Sequence, residues 1–291
     1  MKRVKVITTV AAWPDALPAM RILLDTHLKE KFEFIAVVDT PTKPGPYNLW
    51  DSSLREKSIK VAEAACDSIL VVPESVHINR RIQFPNTSEP KGKNANTRAA
   101  DTLQFVWNQV IRESTSPVLI LDNDMFPVKD FSVLETIGSG ILAGIYSTSP
   151  SKDGSILIPW IWSGLLFLDP KNMPNKELWS FDCGRVDNIP VDVSGQTHNW
   201  LKHVVSKGIN LKWLPHHSSL KWNMQDVRVL LPKSIIDFME SDDRNQNSNF
   251  YCELYNDTFI HFRAGSNWNR ERAEIVSARN NKFLAAIIGG I

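Results

Sequence analysis

Pro117-Val118-Leu119-Ile120-Leu121-Asp122-Asn123-Asp124 is the stretch that decides the fold. The apolar run from Pro117 to Leu121 has the length and composition of a strand buried on both faces. It ends in Asp-Asn-Asp, so a buried strand delivers two carboxylates to the edge of a sheet. Alternate strand residues face the same way, which lets Asp122 and Asp124 converge. Two like charges this close repel unless a cation or protons intervene. A hard divalent cation takes oxygen ligands, and a phosphate can fill its remaining positions. The expected chemistry is therefore that of a site handling a nucleotide diphosphate.

Upstream of this run, strand and helix patterns alternate. Residues 4–10 read as a strand containing Thr8-Thr9. Residues 15–28 have helical spacing at Leu17, Met20, Leu24 and Leu28, and residues 34–38 form a second strand followed by Asp39. Residues 41–46 are a Pro/Gly turn, 54–66 a helix, 69–72 a third strand and 97–113 a strong helix. Strands alternating with helices imply an α/β fold with a mixed, mostly parallel sheet flanked by helices. Residues 73–96 read as a long, polar, basic connection without structure of its own, a kind that often lines a site. Downstream the expected strands are 141–146, 164–168, 211–214 and 258–262, the expected helices 196–205, 234–239 and 269–287, and 149–155 a mobile loop. With no evident linker or repeat, residues 1–291 read as a single domain, divided into a half at 1–125 and a half at 126–291.

Composition narrows the partners. The chain has 291 residues, 43% of them apolar, and a net charge of +1, so no global field argues for nucleic acid or a membrane surface. Ten tryptophans suit a core and also stack on sugar rings and bases. Cys66, Cys183 and Cys252 have no paired spacing, which fits a reducing compartment rather than a disulfide framework or zinc motif. The start, Met1-Lys2-Arg3 and then an alternating strand, does not read as a signal peptide, and no apolar run reaches membrane-spanning length. The expectation is a soluble, cytoplasmic protein without a transmembrane segment.

In an open α/β sheet, ligands bind beyond the carboxyl ends of the strands. Thr8, Asp39 and Asp122 fall at such ends and are expected to point into one crevice, where Asp39 either accepts hydrogen bonds from a base or ribose or starts a turn. A third piece is Phe259-Ile260-His261-Phe262-Arg263-Ala264-Gly265-Ser266-Asn267-Trp268. Here a histidine closes an apolar strand, and arginine, glycine and tryptophan follow in a loop. Imidazole suits a borderline metal such as Mn²⁺ better than Mg²⁺. The Gly265 backbone can approach a phosphate closely, and Arg263 can neutralise it. Taken alone, His261 also reads as a hydrogen-bonded core residue.

Together these residues resemble a GT-A (Rossmann-like) glycosyltransferase, most closely the family that includes glycogenin and the bacterial lipopolysaccharide galactosyltransferases. The resemblance implies a metal, Mn²⁺ or Mg²⁺, held by Asp122, Asp124 and His261, and a nucleotide-sugar donor, UDP-sugar before GDP-sugar. The family pattern His-Phe-x-Gly-x-x-Lys-Pro-Trp stands here as His261 to Trp268 without its Lys-Pro, so Arg263 or Arg270 is the candidate phosphate contact. Trp162-Ser163-Gly164 resembles the family's Asn-(Ala/Ser)-Gly segment beneath the donor sugar, and Asp192-Val193-Ser194-Gly195-Gln196 its acidic segment near the reacting sugar. Arg98 and Asp101 match the helix that contributes to donor binding.

The implied nucleotide-binding set is Thr8, Thr9, Asp39, Arg98, Asn123, Arg263 and Gly265. The implied sugar or acceptor set is Asp101, Trp162, Ser163, Gly164, Gln196 and Trp222. Asp192 is the candidate catalytic residue, with helix capping as its other reading. The acceptor is expected to be a glycan or glycoconjugate hydroxyl, and residues 269–287 either pack on the domain or form a homodimer. Two other functions stay open. One is a sugar nucleotidyltransferase, which should carry a Gly-rich basic loop where Thr8-Thr9-Val10-Ala11-Ala12-Trp13 stands. The other is a non-catalytic nucleotide- or carbohydrate-binding module, which would bind without turnover.

Overall fold

Strand β4 (Val118–Asp122) occupies the middle of a seven-stranded sheet, and its alternate side chains feed the layers on the two faces. Leu119 and Leu121 enter one core with Leu17, Met20 and Leu24 of helix α1 (Ala16–His27). Val118 and Ile120 enter the other with Leu103 of helix α4 (Ala95–Val106) and with Trp107, Trp179 and Trp200. This is why the run reads as continuously apolar: a strand covered on both sides has no solvent face to fill with polar residues. Each fully buried leucine contributes about 1.5–3 kcal/mol of hydrophobic stabilisation. The computed structural model describes residues 3–40, 52–83, 95–217, 228–244, 252–263 and 273–290.

On one side of β4, strand β1 (Val4–Val10), strand β2 (Phe32–Val38) and strand β3 (Ser68–Val71) continue the sheet in parallel. On the other, strand β7 (Leu157–Leu168) is antiparallel to both β4 and strand β6 (Leu142–Pro150), and the short strand β10 (Lys212–Trp213) runs parallel to β6. The sheet is thus mixed and mostly parallel, as expected. The carboxyl ends of β1, β2 and β4 share one edge, and Thr9 lies opposite Asp122 in the ladder.

A second, antiparallel sheet is built on that edge from strands β5 (Met125–Pro127), β11 (His216–His217), β12 (Cys252–Tyr255) and β13 (Phe259–Phe262). The chain leaves Asp124 directly into β5, whose partner is β13. The helix Ala273–Ile288 packs on the domain: its Phe283 is fully buried and stacks on Phe262 at 4.2 Å.

Several sequence expectations are corrected. The connection 73–96 contains a helix, α3 (Glu74–Gln83). It is polar overall, and it is anchored by His77, which is 1% exposed and bonded to two carboxylates. The loop expected at 149–155 is the tip of the β6–β7 hairpin. Its turn is tied by Ser151 Oγ and Ser155 Oγ, both donating to Asp153 Oδ1. Asp101, expected on the donor-binding helix as a sugar or acceptor contact, is 2% exposed. Strands β5, β11 and β12 were not anticipated, being too short or too polar for a periodicity signal. The same holds for the small ribbon of β8 (Gly184–Val186) and β9 (Ile189–Val191). Expectations at 41–46 and for Gly265, Trp268, Arg270 and Trp222 lie outside the described residues.

Candidate metal centre

Local hydrogen bonds fix the Asp-Asn-Asp turn. Asn123 Nδ2 donates to the Trp13 carbonyl at 2.7 Å, so the middle residue points into the body of the domain. The carbonyl of Asp124 accepts from the Phe262 amide at 2.8 Å, and Met125 lies opposite His261 in the β5–β13 ladder. The ladder therefore carries His261 to the two aspartates. One ligand atom from each of Asp122, Asp124 and His261 falls within 4.8 Å of the others, and His261 Nε2 stands 3.3 Å from Asp124 Oδ1.

Behind His261 lies Glu253, its direct cross-strand neighbour on β12. Glu253 Oε2 is 3.0 Å from His261 Nδ1 and accepts from the Tyr255 hydroxyl at 2.8 Å. The Arg263 guanidinium is 3.8 Å from the other carboxylate oxygen. Burial would push the Glu253 carboxyl up, but His261, Tyr255 and Arg263 together hold it down at about 2. Burial would lower the His261 imidazole, but Asp124 and Glu253 outweigh it and raise it to about 10. Asp122 is raised to about 6, first by burial and then by the charge of Asp124, with Asp192 adding to it and His261 opposing. Once the imidazole gives up its Nε2 proton, these two carboxylates and the imidazole form a donor set that fits a borderline divalent cation such as Mn²⁺. With Nδ1 turned to Glu253, Nε2 is the nitrogen presented to the cluster.

Gly164 on β7 makes room for this arrangement. A Cβ there would lie 2.2 Å from the Trp162 ring and 2.6 Å from Asp122 Oδ2. Trp162 folds along the strand over Gly164 and stacks on Tyr255 at 5.1 Å, and His216 also stacks on Tyr255, at 5.5 Å. Trp162 also leans on His261 at 5.5 Å. An aromatic wall thus flanks the imidazole. Ser163, on the opposite face of the strand, is buried.

Asp192 follows β9 and accepts from the Val193 amide at 2.8 Å through Oδ1. It lies near enough to Asp122 for its charge to raise that carboxyl. It does not cap the helix α6 (Thr197–Ser206), whose N-cap is Gln196 without a side-chain bond. Ser194 does not cap it either: it adopts φ 66° and donates to the Ile161 carbonyl at 2.7 Å. Gln196 Nε2 donates to the Arg185 carbonyl at 2.9 Å.

The other expected residues form a separate buried cluster. Asp39 is 3% exposed; it accepts from Arg98 at 2.7 Å and from the Thr102 hydroxyl at 2.6 Å. His77 bridges Asp39 at 2.9 Å and Asp101 at 3.1 Å. Burial would lower the His77 imidazole, but its bonds to Asp101 and Asp39 raise it. Arg98 also pairs with Glu74 at 3.0 Å. The Thr8 side chain is fully buried, and Thr8 Oγ1 and Asn123 Oδ1 have no hydrogen-bond partner among the described residues.

Sequence reasoning missed Glu253, Tyr255 and His77. For the first two a signal existed. Asn256-Asp257 is a turn-type dipeptide between two short runs rich in apolar residues, and both residues adopt positive φ, 52° and 49°, as tight hairpin turns require. Reading that hairpin would have set Glu253 opposite His261. His77 had no comparable local signal.

No protein-family model and no curated protein matches the sequence. Similar solved structures include mouse xyloside xylosyltransferase 1 in its apo form, 11% identical over 73% of this chain and 84% of that one, with a TM-score of 0.39. The mannosyltransferase PcManGT from Pyrobaculum calidifontis, in complex with GDP-Man and Mn²⁺, is 13% identical over 73% of this chain and 54% of that one, with a TM-score of 0.40. The WbbM bifunctional glycosyltransferase in its apo form is 11% identical over 59% of this chain and 32% of that one, with a TM-score of 0.35. The chain therefore spans about a third of the length of WbbM and about half that of PcManGT. All three are glycosyltransferases by name. At identities and TM-scores this low, function has to be argued from the residues of the site.

Proposed function

We propose that this chain is a metal-dependent glycosyltransferase of the GT-A type. It would move a sugar from a nucleotide-diphosphate donor, UDP-sugar before GDP-sugar, to a hydroxyl of a glycan or glycoconjugate. The observation that carries this reading is the convergence of Asp122, Asp124 and His261 within 4.8 Å at the carboxyl edge of a mostly parallel sheet. That edge is where open α/β sheets bind their ligands.

Mn²⁺ held by those three residues would act as a Lewis acid on the departing diphosphate. The protein's own groups do the rest. Arg263, held beside the site by Glu253, supplies positive charge for phosphate. Gly164 keeps the β7 backbone low beneath Asp122, and Trp162 offers an apolar wall for a sugar ring. Asp192, whose carboxylate lies within electrostatic reach of Asp122, is the candidate base for the acceptor hydroxyl or the group facing the reacting sugar. The buried Asp39–Arg98–His77–Asp101 cluster shapes the floor beside β2, with Arg98 and Asp39 as the nucleoside-side residues.

The test is calorimetric titration of UDP and GDP with and without Mn²⁺, on the wild type and on Asp124→Ala, followed by nucleotide release from a panel of nucleotide-sugars. Mn²⁺-dependent binding of one nucleotide, lost in Asp124→Ala, and its release on turnover are the expected results. Binding without release would reassign the chain as a binding module. No binding under any condition would reduce Asp122, Asp124 and His261 to a turn and a core histidine.

A further inference from the structure

Glu253 stands just outside the donor set. Its carboxylate is not among the ligand atoms that converge; it lies on the far side of the imidazole, 3.0 Å from Nδ1, while Nε2 faces Asp124 at 3.3 Å. We propose that Glu253 is a positioning residue that commits His261 to presenting Nε2 to a metal, and that it thereby gives the site its preference for Mn²⁺ over Mg²⁺. This rests on the metal-site reading above.

The geometry supports it in three ways. First, the pair is set by register: Glu253 and His261 are directly opposite in the β12–β13 ladder, so their side chains share a face at the closest cross-strand spacing. Second, Glu253 is itself fixed. Oε2 accepts from Tyr255 at 2.8 Å, and Tyr255 is stacked on both the Trp162 and the His216 rings. Arg263 closes on Oε1 at 3.8 Å, and the Glu253 side chain is only 13% exposed. Third, the chemistry is one-directional. A carboxylate can only accept, so the nitrogen facing Glu253 keeps a proton; the proton that a metal would displace is the one on Nε2, beside Asp124, and the lone pair it leaves is the one offered to the ion. A histidine ligand whose remaining N–H is held by a carboxylate is more basic and better oriented than one left to rotate, and loss of such a partner typically lowers metal affinity about 10–100-fold. Nitrogen ligation favours Mn²⁺, whereas Mg²⁺ prefers oxygen ligands alone, so losing an oriented imidazole weakens Mn²⁺ binding more than Mg²⁺ binding.

The experiment measures Mn²⁺ binding, without donor or acceptor, by electron paramagnetic resonance of free Mn²⁺, and Mg²⁺ binding by competition. The proteins are the wild type, Glu253→Ala, Glu253→Gln and Asp124→Ala, each checked for folding by thermal melting. A ¹⁵N-histidine spectrum of the Mg²⁺-loaded protein reports which nitrogen of His261 carries the proton. Glu253→Ala should bind Mn²⁺ about 10–100-fold more weakly, with a smaller loss for Mg²⁺ and a mixture of protonation patterns at His261. Glu253→Gln, whose amide oxygen can still accept from Nδ1–H, should recover much of the affinity and the single pattern. If Glu253→Ala binds Mn²⁺ like the wild type while Asp124→Ala does not, the positioning role falls and the metal site stands. If the wild type binds no Mn²⁺, both fall. Equal losses in Glu253→Ala and Glu253→Gln, with the Nδ1–H pattern retained in each, would also overturn the proposal.

Discussion

Replacing Gly164 by alanine tests the packing of the candidate site with a single methyl group. The new Cβ would stand 2.2 Å from Cη2 and Cζ2 of Trp162 and 2.6 Å from Asp122 Oδ2. Carbon atoms pack at about 3.5–4.0 Å, so the indole must retreat by more than roughly 1 Å. That movement takes it off Tyr255, on which it stacks at 5.1 Å and 23°. Losing the stack costs about 0.5–1.5 kcal/mol. Overpacking a close-fitted position adds about 1–3 kcal/mol. The expected destabilisation is therefore about 2–4 kcal/mol, a fall in melting midpoint on the order of 3–7 °C for a chain of this size.

Because Asp122 must also give way, Mn²⁺ affinity should fall at least about tenfold, the equivalent of roughly 1.4 kcal/mol. A double-mutant cycle sharpens the assay. In a Trp162→Ala background the ring is gone, so Gly164→Ala should cost much less stability yet still weaken Mn²⁺ binding through Asp122. A Gly164→Ala protein that melts within about 1 °C of the wild type would refute the reasoning. So would a penalty that is the same with and without the Trp162 ring.

Protons should compete with metal. His261 is raised to about 10 and Asp122 to about 6 in the metal-free protein, so Mn²⁺ affinity should climb as pH rises from about 5 to 8, with proton release visible in calorimetry across buffers of different ionisation enthalpy. The metal-free fold should respond in the opposite sense. The contribution of His261 is complete below its ordinary value of 6.5 and is lost as pH rises through about 10. Asp122, raised from 3.8 to about 6, removes stability as pH rises through that interval, so the metal-free melting midpoint should fall with rising pH on both accounts. His77→Leu removes the partner shared by Asp39 and Asp101, and urea denaturation should show a loss of about 3–5 kcal/mol. A loss well under that range would mean that the two carboxylates are satisfied without the histidine.

The hairpin that holds His261 shows where sequence reading stopped. The strand 258–262 is legible because Phe259, Ile260 and Phe262 crowd an apolar run, but its partner Cys252–Tyr255 has only four residues, too short a run for its period to stand out. Helix α3 was missed for a related reason. Its anchor is His77, bonded to residues 24 and 38 positions away, and no local periodicity encodes such distances. Asp39 stands at a strand end and Arg98 on a helix, and that the two are bonded to each other is a relation that only the fold supplies.

What the sequence determined by itself is local. Apolar runs of strand length, helical spacing at Leu17, Met20 and Leu24, and their alternation gave the α/β class, because burial on one or two faces leaves a periodic trace in the chain. The same logic placed Asp122 and Asp124 at the end of a buried strand. What the tertiary structure alone decided is which groups meet. The β5–β13 ladder brings His261 to Asp124, the β12–β13 register puts Glu253 behind it, and the turn of the Trp162 ring makes Gly164 indispensable. Those relations depend on strand register and side-chain rotamers fixed by packing, and neither is written in the order of residues along any one segment.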